Sequence, residues 1–314
     1  MQLGLGTAAL GRPQYINVRT ENCDNSNLAE FRKQSFAVLE EAYNLGIRYF
    51  DTAPGYGLAE ELVLEWVQTK NDNTIEIATK WGYTYTANFD ANATVHEVKE
   101  HSLAKLKEQW TFSEQLLPYL KVYQIHSATL ETGVLENTEV LKYLAYLKKE
   151  FNLKIGLTTT GTNQVQVIKK ALDVLVDETS VFDVFQVTYN FLDQSLSEIS
   201  EELISRNKSI VIKEALANGR VFKNENYPHY AKMYATLENL AKKHQVGVDA
   251  ISLKYCEQTI PKSIVLSGAS STEQLKENLK LNSFTLSADE IETLNALKVA
   301  PEQYWTERKQ LAWN

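Results

Sequence analysis

The chain is short of cysteine: Cys23 and Cys256 are the only two among 314 residues. Two thiols this far apart exclude a disulfide-stapled scaffold. Without close Cys or His partners they also exclude a structural zinc site. Both are expected to be free thiols in a reducing compartment. Basic charge is scarce as well. Lys and Arg number 32 against 40 Asp and Glu, a formal net charge of −8 with no basic stripe. Binding to a nucleic-acid backbone needs clustered Lys and Arg, so nucleic acid is not an expected partner. No apolar run approaches the ~20 residues that a spanning helix needs, so no membrane partner is expected. The opening Met1-Gln2-Leu3-Gly4-Leu5-Gly6 has no basic stretch leading into an apolar one, so no secretory leader is read there. The expectation is a cytoplasmic protein, with protein partners left open. No fixed-period repeat and no Pro-, Ser- or Gln-rich linker divides the chain.

What is present alternates. Eight short β-branched or apolar runs end in polar or small residues: Leu3–Thr7, Arg48–Thr52, Ile75–Lys80, Val122–His126, Lys154–Thr158, Val184–Thr188, Ile210–Glu214 and Ile264–Gly268. Helix-like segments lie between them at Leu28–Leu45, Thr94–Leu106, Glu136–Lys149, Val165–Leu175, Leu196–Arg206, Tyr230–Lys243 and Glu273–Leu281. Thr94 three residues before Glu97 reads as a capping box. Strands alternating with helices imply a parallel sheet with crossover helices. Eight units in one chain of this length predict a closed (β/α)8 TIM barrel in a single domain, residues 1–314. A doubly wound sheet is the alternative. Its Gly-x-Gly-x-x-Gly turn is incomplete, because Gly4-Leu5-Gly6-Thr7-Ala8-Ala9 lacks the third glycine and a long polar loop follows. The tail from about residue 299 carries Tyr304, Trp305 and Trp313, and is expected to pack near the barrel mouth.

A parallel barrel collects its strand ends at one mouth. There the second, third and fourth runs deliver Asp51, Lys80 and His126, and Tyr56 follows the second. A free phenol, with a pKa of about 10, is a weak acid at neutral pH unless a cation stabilises its phenolate. Lys80 is placed to be that cation, Asp51 to keep Lys80 charged, and His126 to hold the reacting oxygen. Each residue also has an ordinary reading: a loop anchor for Tyr56, a solvated strand end for Lys80, a satisfied core histidine for His126. The four together fit carbonyl reduction, with hydride supplied by a cofactor. Trp81, Tyr83 and Tyr85 share one side of an extended segment and are candidates to line a substrate pocket, or to pack against the tail. Tyr189 is a candidate to sit beneath the cofactor.

Phe50-Asp51-Thr52-Ala53 with Tyr56-Gly57, Ala78-Thr79-Lys80 and Gln124-Ile125-His126 resemble the aldo-keto reductase family, over nearly the whole chain. The resemblance implies a catalytic tetrad of Asp51, Tyr56, Lys80 and His126, and a nicotinamide cofactor, NADP by family habit with NAD open. It assigns Gly6, Thr7 and Ala8 at the opening strand to the cofactor, together with Asp51, and Gln186 to the carboxamide. Thr158 and Thr159 stand where many members have Ser-Asn. Lys213, Glu214, Ala215, Leu216, Ala217, Gly219 and Arg220 match the segment around the pyrophosphate, with Lys213 where many members carry a stacking Tyr. Gly268, Ser270, Gln274, Glu277 and Asn278 resemble the adenosine-phosphate segment of the branch related to potassium-channel β subunits. Gln274 replaces the Arg with which other branches grip a 2′-phosphate. Lys262 in Ile260-Pro261-Lys262-Ser263 precedes the eighth strand and is read as a surface residue. The expected substrate is an aldehyde, ketone, sugar or alcohol. A cofactor-binding sensor or regulatory subunit with little turnover is the alternative. A lyase or hydrolase is weaker, since neither a metal cluster nor paired carboxylates stand out.

Overall fold

The computed structural model describes residues 3–12, 27–90 and 93–312. Cys23 and Trp313 lie outside the described residues. In chain order the strands are β1 (Leu3–Gly6), β2 (Tyr49–Asp51), β3 (Glu76–Trp81), β4 (Tyr83–Tyr85), β5 (Glu97–Lys99), β6 (Leu120–Ala128), β7 (Lys154–Thr159), β8 (Leu175–Val176), β9 (Thr179–Ser180), β10 (Val184–Thr188), β11 (Ser209–Lys213) and β12 (Ile264–Ser267). Eight of them close into a barrel in the order β1-β12-β11-β10-β7-β6-β3-β2, all paired parallel. These are the eight runs read from the sequence, and the fold is the (β/α)8 barrel.

The helices are α1 (Ala8–Gly11), α2 (Leu28–Asn44), α3 (Ala59–Gln68), α4 (Leu103–Ser113), α5 (Thr138–Glu150), α6 (Gln164–Leu172), α7 (Ser200–Ser205), α8 (Ala231–His244), α9 (Val248–Thr259), α10 (Thr272–Leu279), α11 (Ala288–Asn295) and α12 (Pro301–Lys309). Their apolar faces join the outward strand residues Leu5, Phe50, Ile77, Tyr123, Ile125, Leu157 and Phe185 in one large buried cluster. The residues one position away point inward. Tyr49, Ala78, Val122, Val184, Val211 and Leu266 form a separate small cluster that plugs the barrel. Gly4 makes room for that plug, since a Cβ there would lie 2.9 Å from Tyr49 Cδ1.

One feature departs from the sequence reading. The predicted helix over Thr94–Leu106 does not start at Thr94: Glu97–Lys99 is β5, paired antiparallel with β4 as a flap beside the mouth. The cap belongs to Ser102, whose Oγ accepts from Lys105 N at 3.1 Å, so α4 begins at Leu103. The tail forms α12, with Tyr304 and Trp305 buried. Trp305 Nε1 donates to Asp193 at 3.1 Å, and Arg308 Nε donates to Glu214 at 2.9 Å. Since Glu214 directly follows β11, the tail docks on the loops at the strands' C-terminal ends.

Candidate active site

The alternation that puts Tyr49, Ala78 and Val122 into the plug carries Asp51, Lys80 and His126 into the same interior, nearer the mouth. Tyr56 lies in a one-turn 3-10 helix, Pro54–Tyr56. Two glycines seat it. A Cβ on Gly11 would fall 1.8 Å from Tyr56 O, and one on Gly57 would fall 2.4 Å from Gly11 O. Gly57 also holds φ at +64°, a conformation glycine adopts without steric cost. Leu58 N donates to Gly11 O at 2.7 Å, locking the tyrosine turn onto α1.

Lys80 is fully buried. Its ammonium donates to Asp51 Oδ1 and, at 2.9 Å, to Thr52 O. The other carboxylate oxygen, Asp51 Oδ2, accepts from Gln186 at 2.7 Å and from Gln124 at 3.3 Å. The Lys80 ammonium stands 4.7 Å from the centre of the Tyr56 ring. The Tyr56 and His126 rings meet edge to face at 5.4 Å, and Tyr83 approaches His126 at 4.7 Å. All four sequence-predicted residues therefore share one mouth.

Burial, then Asp51, push the Tyr56 phenol well above its ordinary pKa, with Arg12 as the opposing cation. The phenol thus holds its proton at neutral pH. Burial and the cations Lys80, Arg12 and Lys213 hold His126 well below the usual histidine range, so its imidazole is neutral. A neutral imidazole offers one N–H donor beside a protonated phenol.

Several supporting residues carried no signal in the sequence reading. Arg12 donates to Gly55 O at 3.1 Å and to Glu97 at 3.0 Å, and its guanidinium lies 5.6 Å from the Tyr56 ring centre. It ties the tyrosine turn to the flap. Ser127 has φ +52° beside a register shift in the β6–β7 pairing, and its N donates to Thr158 Oγ1 at 2.7 Å. A bulge of this kind re-aims its neighbour, here His126. His101 Nε2 donates to the His126 carbonyl at 2.9 Å. Gln109 holds both Gly82 N and Tyr83 O at 2.8 Å. A contiguous apolar pattern in the sequence cannot reveal such long-range polar ties.

The residues assigned to a cofactor divide. Gly6, Asp51, Thr158, Gln186 and Lys213 belong to the inward rows of their strands. The amide oxygen of Gln186 accepts no hydrogen bond, while its nitrogen serves Asp51. Thr7 is buried and donates its hydroxyl to Asp51 O at 3.0 Å, with Ala8 buried behind it. Thr159 points to the helix layer and donates to Gln164 at 3.2 Å. After β11, Glu214, Ala217, Asn218 and Gly219 all have positive φ, of 57°, 47°, 55° and 85°. Non-glycine residues in that region are costly and gather at ligand clamps. Ala215 and Leu216 bridge the turn, and Ala217 N donates back to Glu214 O at 2.8 Å. Arg220 does not face this turn's outer side. It is fully buried, donates to Ala217 O at 2.9 Å and Tyr304 O at 3.1 Å, and so anchors α12.

At the other end, a Cβ on Gly268 would meet nothing within 4 Å, and Ser270 is exposed. Gln274 accepts from Ser270 N at 2.9 Å at the start of α10. Glu277 is exposed and paired with Lys280. Asn278 is internal, accepting from Ser267 and donating to Asp249, both at 2.6 Å. Lys262 is exposed just before β12, at the end of the barrel opposite the mouth.

Among the substrate candidates, Trp81 follows inward-facing Lys80 and so faces outward, buried against His101 at 5.5 Å. It does not line the mouth. Tyr83 does, beside His126. Tyr85 lies 5.9 Å from the Arg12 guanidinium, and its hydroxyl accepts from Phe89 N at 3.0 Å. Tyr189 also points outward, stacked on Tyr255 at 5.9 Å and donating to Thr259 at 2.9 Å, so it does not underlie the mouth. Cys256 is a buried free thiol in α9. No group of three or more His, Cys, Asp or Glu able to hold a metal occurs among the described residues. No helix among them is long and apolar enough to cross a membrane.

The aldo/keto reductase family profile matches residues 2–299. An uncharacterized oxidoreductase of Bacillus subtilis is 25% identical over 297 residues, covering 86% of this chain and 89% of that protein. The NADH-specific methylglyoxal reductase of Escherichia coli is 22% identical over 314 residues, covering 91% of each. Among solved structures, a holo aldo-keto reductase of Bacillus halodurans superposes with a TM-score of 0.72 at 24% identity, over 97% of this chain and 95% of that one. An aldo/keto reductase of Klebsiella pneumoniae in complex with NADP and acetate gives a TM-score of 0.69 at 18% identity, over 96% and 91%. The chain belongs to the aldo/keto reductase family and is one of its oxidoreductases.

Proposed function

We propose that this protein interconverts an aldehyde, ketone or sugar carbonyl with the corresponding alcohol, using NADP(H) and taking Tyr56 as the proton donor in reduction. The observation that carries the reading is the meeting of Tyr56, His126 and the buried Asp51–Lys80 pair in one mouth. The nicotinamide dinucleotide, when bound, supplies or accepts the hydride. Tyr56 holds its proton at neutral pH and delivers it to the carbonyl oxygen. His126 orients that oxygen through its single N–H. Lys80, kept charged by Asp51, stabilises the phenolate left behind, and Arg12 adds a second cation on the same ring.

The residues present fit such a cofactor. Gln186 keeps a spare amide oxygen for a carboxamide N–H. The left-handed turn Glu214–Gly219 and the open approach at Gly268 suit a pyrophosphate and an adenosine end. Ser270 and Gln274 at the start of α10 are proposed to meet the 2′-phosphate, with backbone amides and the helix dipole assisting. Glu273 and Glu277 on the same helix oppose that anion, so the preference for NADP over NAD is expected to be modest. The Klebsiella pneumoniae neighbour binds NADP, whereas the Escherichia coli relative is named for NADH. Titration with NADPH and NADH measures the choice. Tyr56→Phe is expected to keep the fold and cofactor affinity while lowering turnover by ~10²–10⁴, the usual worth of a placed proton donor. Unchanged turnover in that variant refutes the assignment.

A further inference from the structure

We propose that Lys213 makes this mouth bind the reduced nicotinamide dinucleotide more tightly than the oxidised one, an inference that rests on the function proposed above. Lys213 ends β11 on the inward row, across the barrel from Lys80 and His126. Its side chain is 19% exposed, and its ammonium donates to Thr188 Oγ1 at 2.9 Å. Its one ion-pair contact among the described residues, to Glu214, is long and shared. Glu214 Oε1 is 3.9 Å away and is already held by Arg308 through Nε and NH2, each at 2.9 Å. Asp193 also faces Lys213, but its carboxylate accepts from Ser195 at 2.6 Å and from Trp305 at 3.1 Å. Both counter-charges are therefore shared with α12, through Arg308 and Trp305, and Asp193 also with Ser195 after β10. Across the mouth, Lys80 is matched by Asp51.

The charges that act on His126 are cations: Lys80, Arg12 and Lys213. A nicotinamide that exchanges hydride with a carbonyl held by Tyr56 and His126 has to enter beside these cations. Lys80 is closely paired with Asp51 and Arg12 with Glu97, while Lys213 has, among the described residues, only the long, shared ion pair with Glu214. The oxidised ring carries a positive charge and the reduced ring does not. A like charge on the facing wall thus penalises only the oxidised form, and in a partly desolvated site that penalty is weakly screened. Lys213 acts on cofactor redox state and not on proton transfer, which separates it from the tetrad.

The test is calorimetric titration of the full chain with NADPH, NADP+, NADH and NAD+, for wild type, Lys213→Met and Lys213→Arg. For whichever dinucleotide pair binds, the wild-type ratio of oxidised to reduced Kd is expected to be at least about tenfold, the scale of a weakly screened like-charge contact. A tenfold ratio raises the midpoint of the bound two-electron couple by about 30 mV. Lys213→Met is expected to bring the ratio to within about threefold of unity by tightening the oxidised form, and Lys213→Arg to keep it. A purely structural role for Lys213 weakens both forms together and leaves the ratio unmoved. The proposal is overturned by an unchanged ratio in a folded Lys213→Met protein. A wild-type ratio near unity also overturns it, and that result needs no variant. Failure of the wild type to bind either form overturns the proposed function itself, a result distinct from the other two.

Discussion

Replacing Asp51 with Asn isolates the electrostatic centre of the site. Asp51 Oδ1 accepts from the Lys80 ammonium, and Oδ2 accepts from Gln186 at 2.7 Å and Gln124 at 3.3 Å. Every neighbour of that carboxylate is a donor. An asparagine keeps one acceptor oxygen and turns an N–H pair toward at least one of these donors, so a donor faces a donor. Lys80 is fully buried and keeps the Thr52 carbonyl, but loses its carboxylate partner. Breaking one side of a buried ion pair costs about 3–5 kcal/mol. Against a total stability of ~5–15 kcal/mol that is a large loss. Urea titration of Asp51→Asn is expected to show a lower midpoint with an unchanged slope, the two together giving a stability loss of this size. Turnover is expected to fall as well, because Lys80 is no longer held beside the Tyr56 ring. A stability loss under about 1 kcal/mol, with turnover retained, refutes the picture of a dry, charge-matched pair beneath the phenol.

Two further outcomes follow from groups outside the tetrad. Burial raises the Glu60 carboxyl to about 7, against hydrogen bonds from Thr79 and Ser113 that lower it. A raised acid stabilises the fold fully below its unfolded pKa, and that contribution is lost as pH rises through the folded value. Wild type is therefore expected to lose about 3 kcal/mol between roughly pH 4.5 and pH 7 that Glu60→Gln does not lose, read by urea melts at pH 5 and pH 8; equal pH slopes in the two proteins refute it. Trp305→Ala removes a buried indole and leaves Asp193 short of a donor. A loss of about 3–5 kcal/mol is expected by thermal or urea melts, with weakened dinucleotide binding because the Glu214 turn loses its backing. A variant of wild-type stability refutes the docking role of α12.

The barrel was legible because its strands are short, β-branched and evenly punctuated, and because the inward row is set by a period of two. The same period, applied one residue further, would have placed Trp81 and Tyr189 outward. They were expected to face the mouth because aromatic residues next to a site invite a ligand, whereas strand alternation decides the side. The tetrad was readable since each member closes a strand or the turn after it. Arg12, Ser127, His101 and Gln109 were not, because their partners lie 25 or more residues away and make no local pattern. Arg220 was misread for a related reason: an arginine beside a glycine turn looks like an anion site until the Tyr304 carbonyl and the Glu307 carboxylate of α12 claim it. The helix expected at Thr94 failed because a capping signal is local, while the pairing of Glu97–Lys99 with Tyr83–Tyr85 is not.

The docking of α12 has a consequence for biosynthesis. Glu214 takes its partners Tyr304 and Arg308 from the last segment of the chain, and Arg220 is capped by the Tyr304 carbonyl. The turn between them cannot be braced while those residues are still inside the ribosome. A nascent barrel emerging N-terminus first therefore brings Asp51, Tyr56, Lys80 and His126 together well before α12 can brace the turn proposed above to seat the dinucleotide.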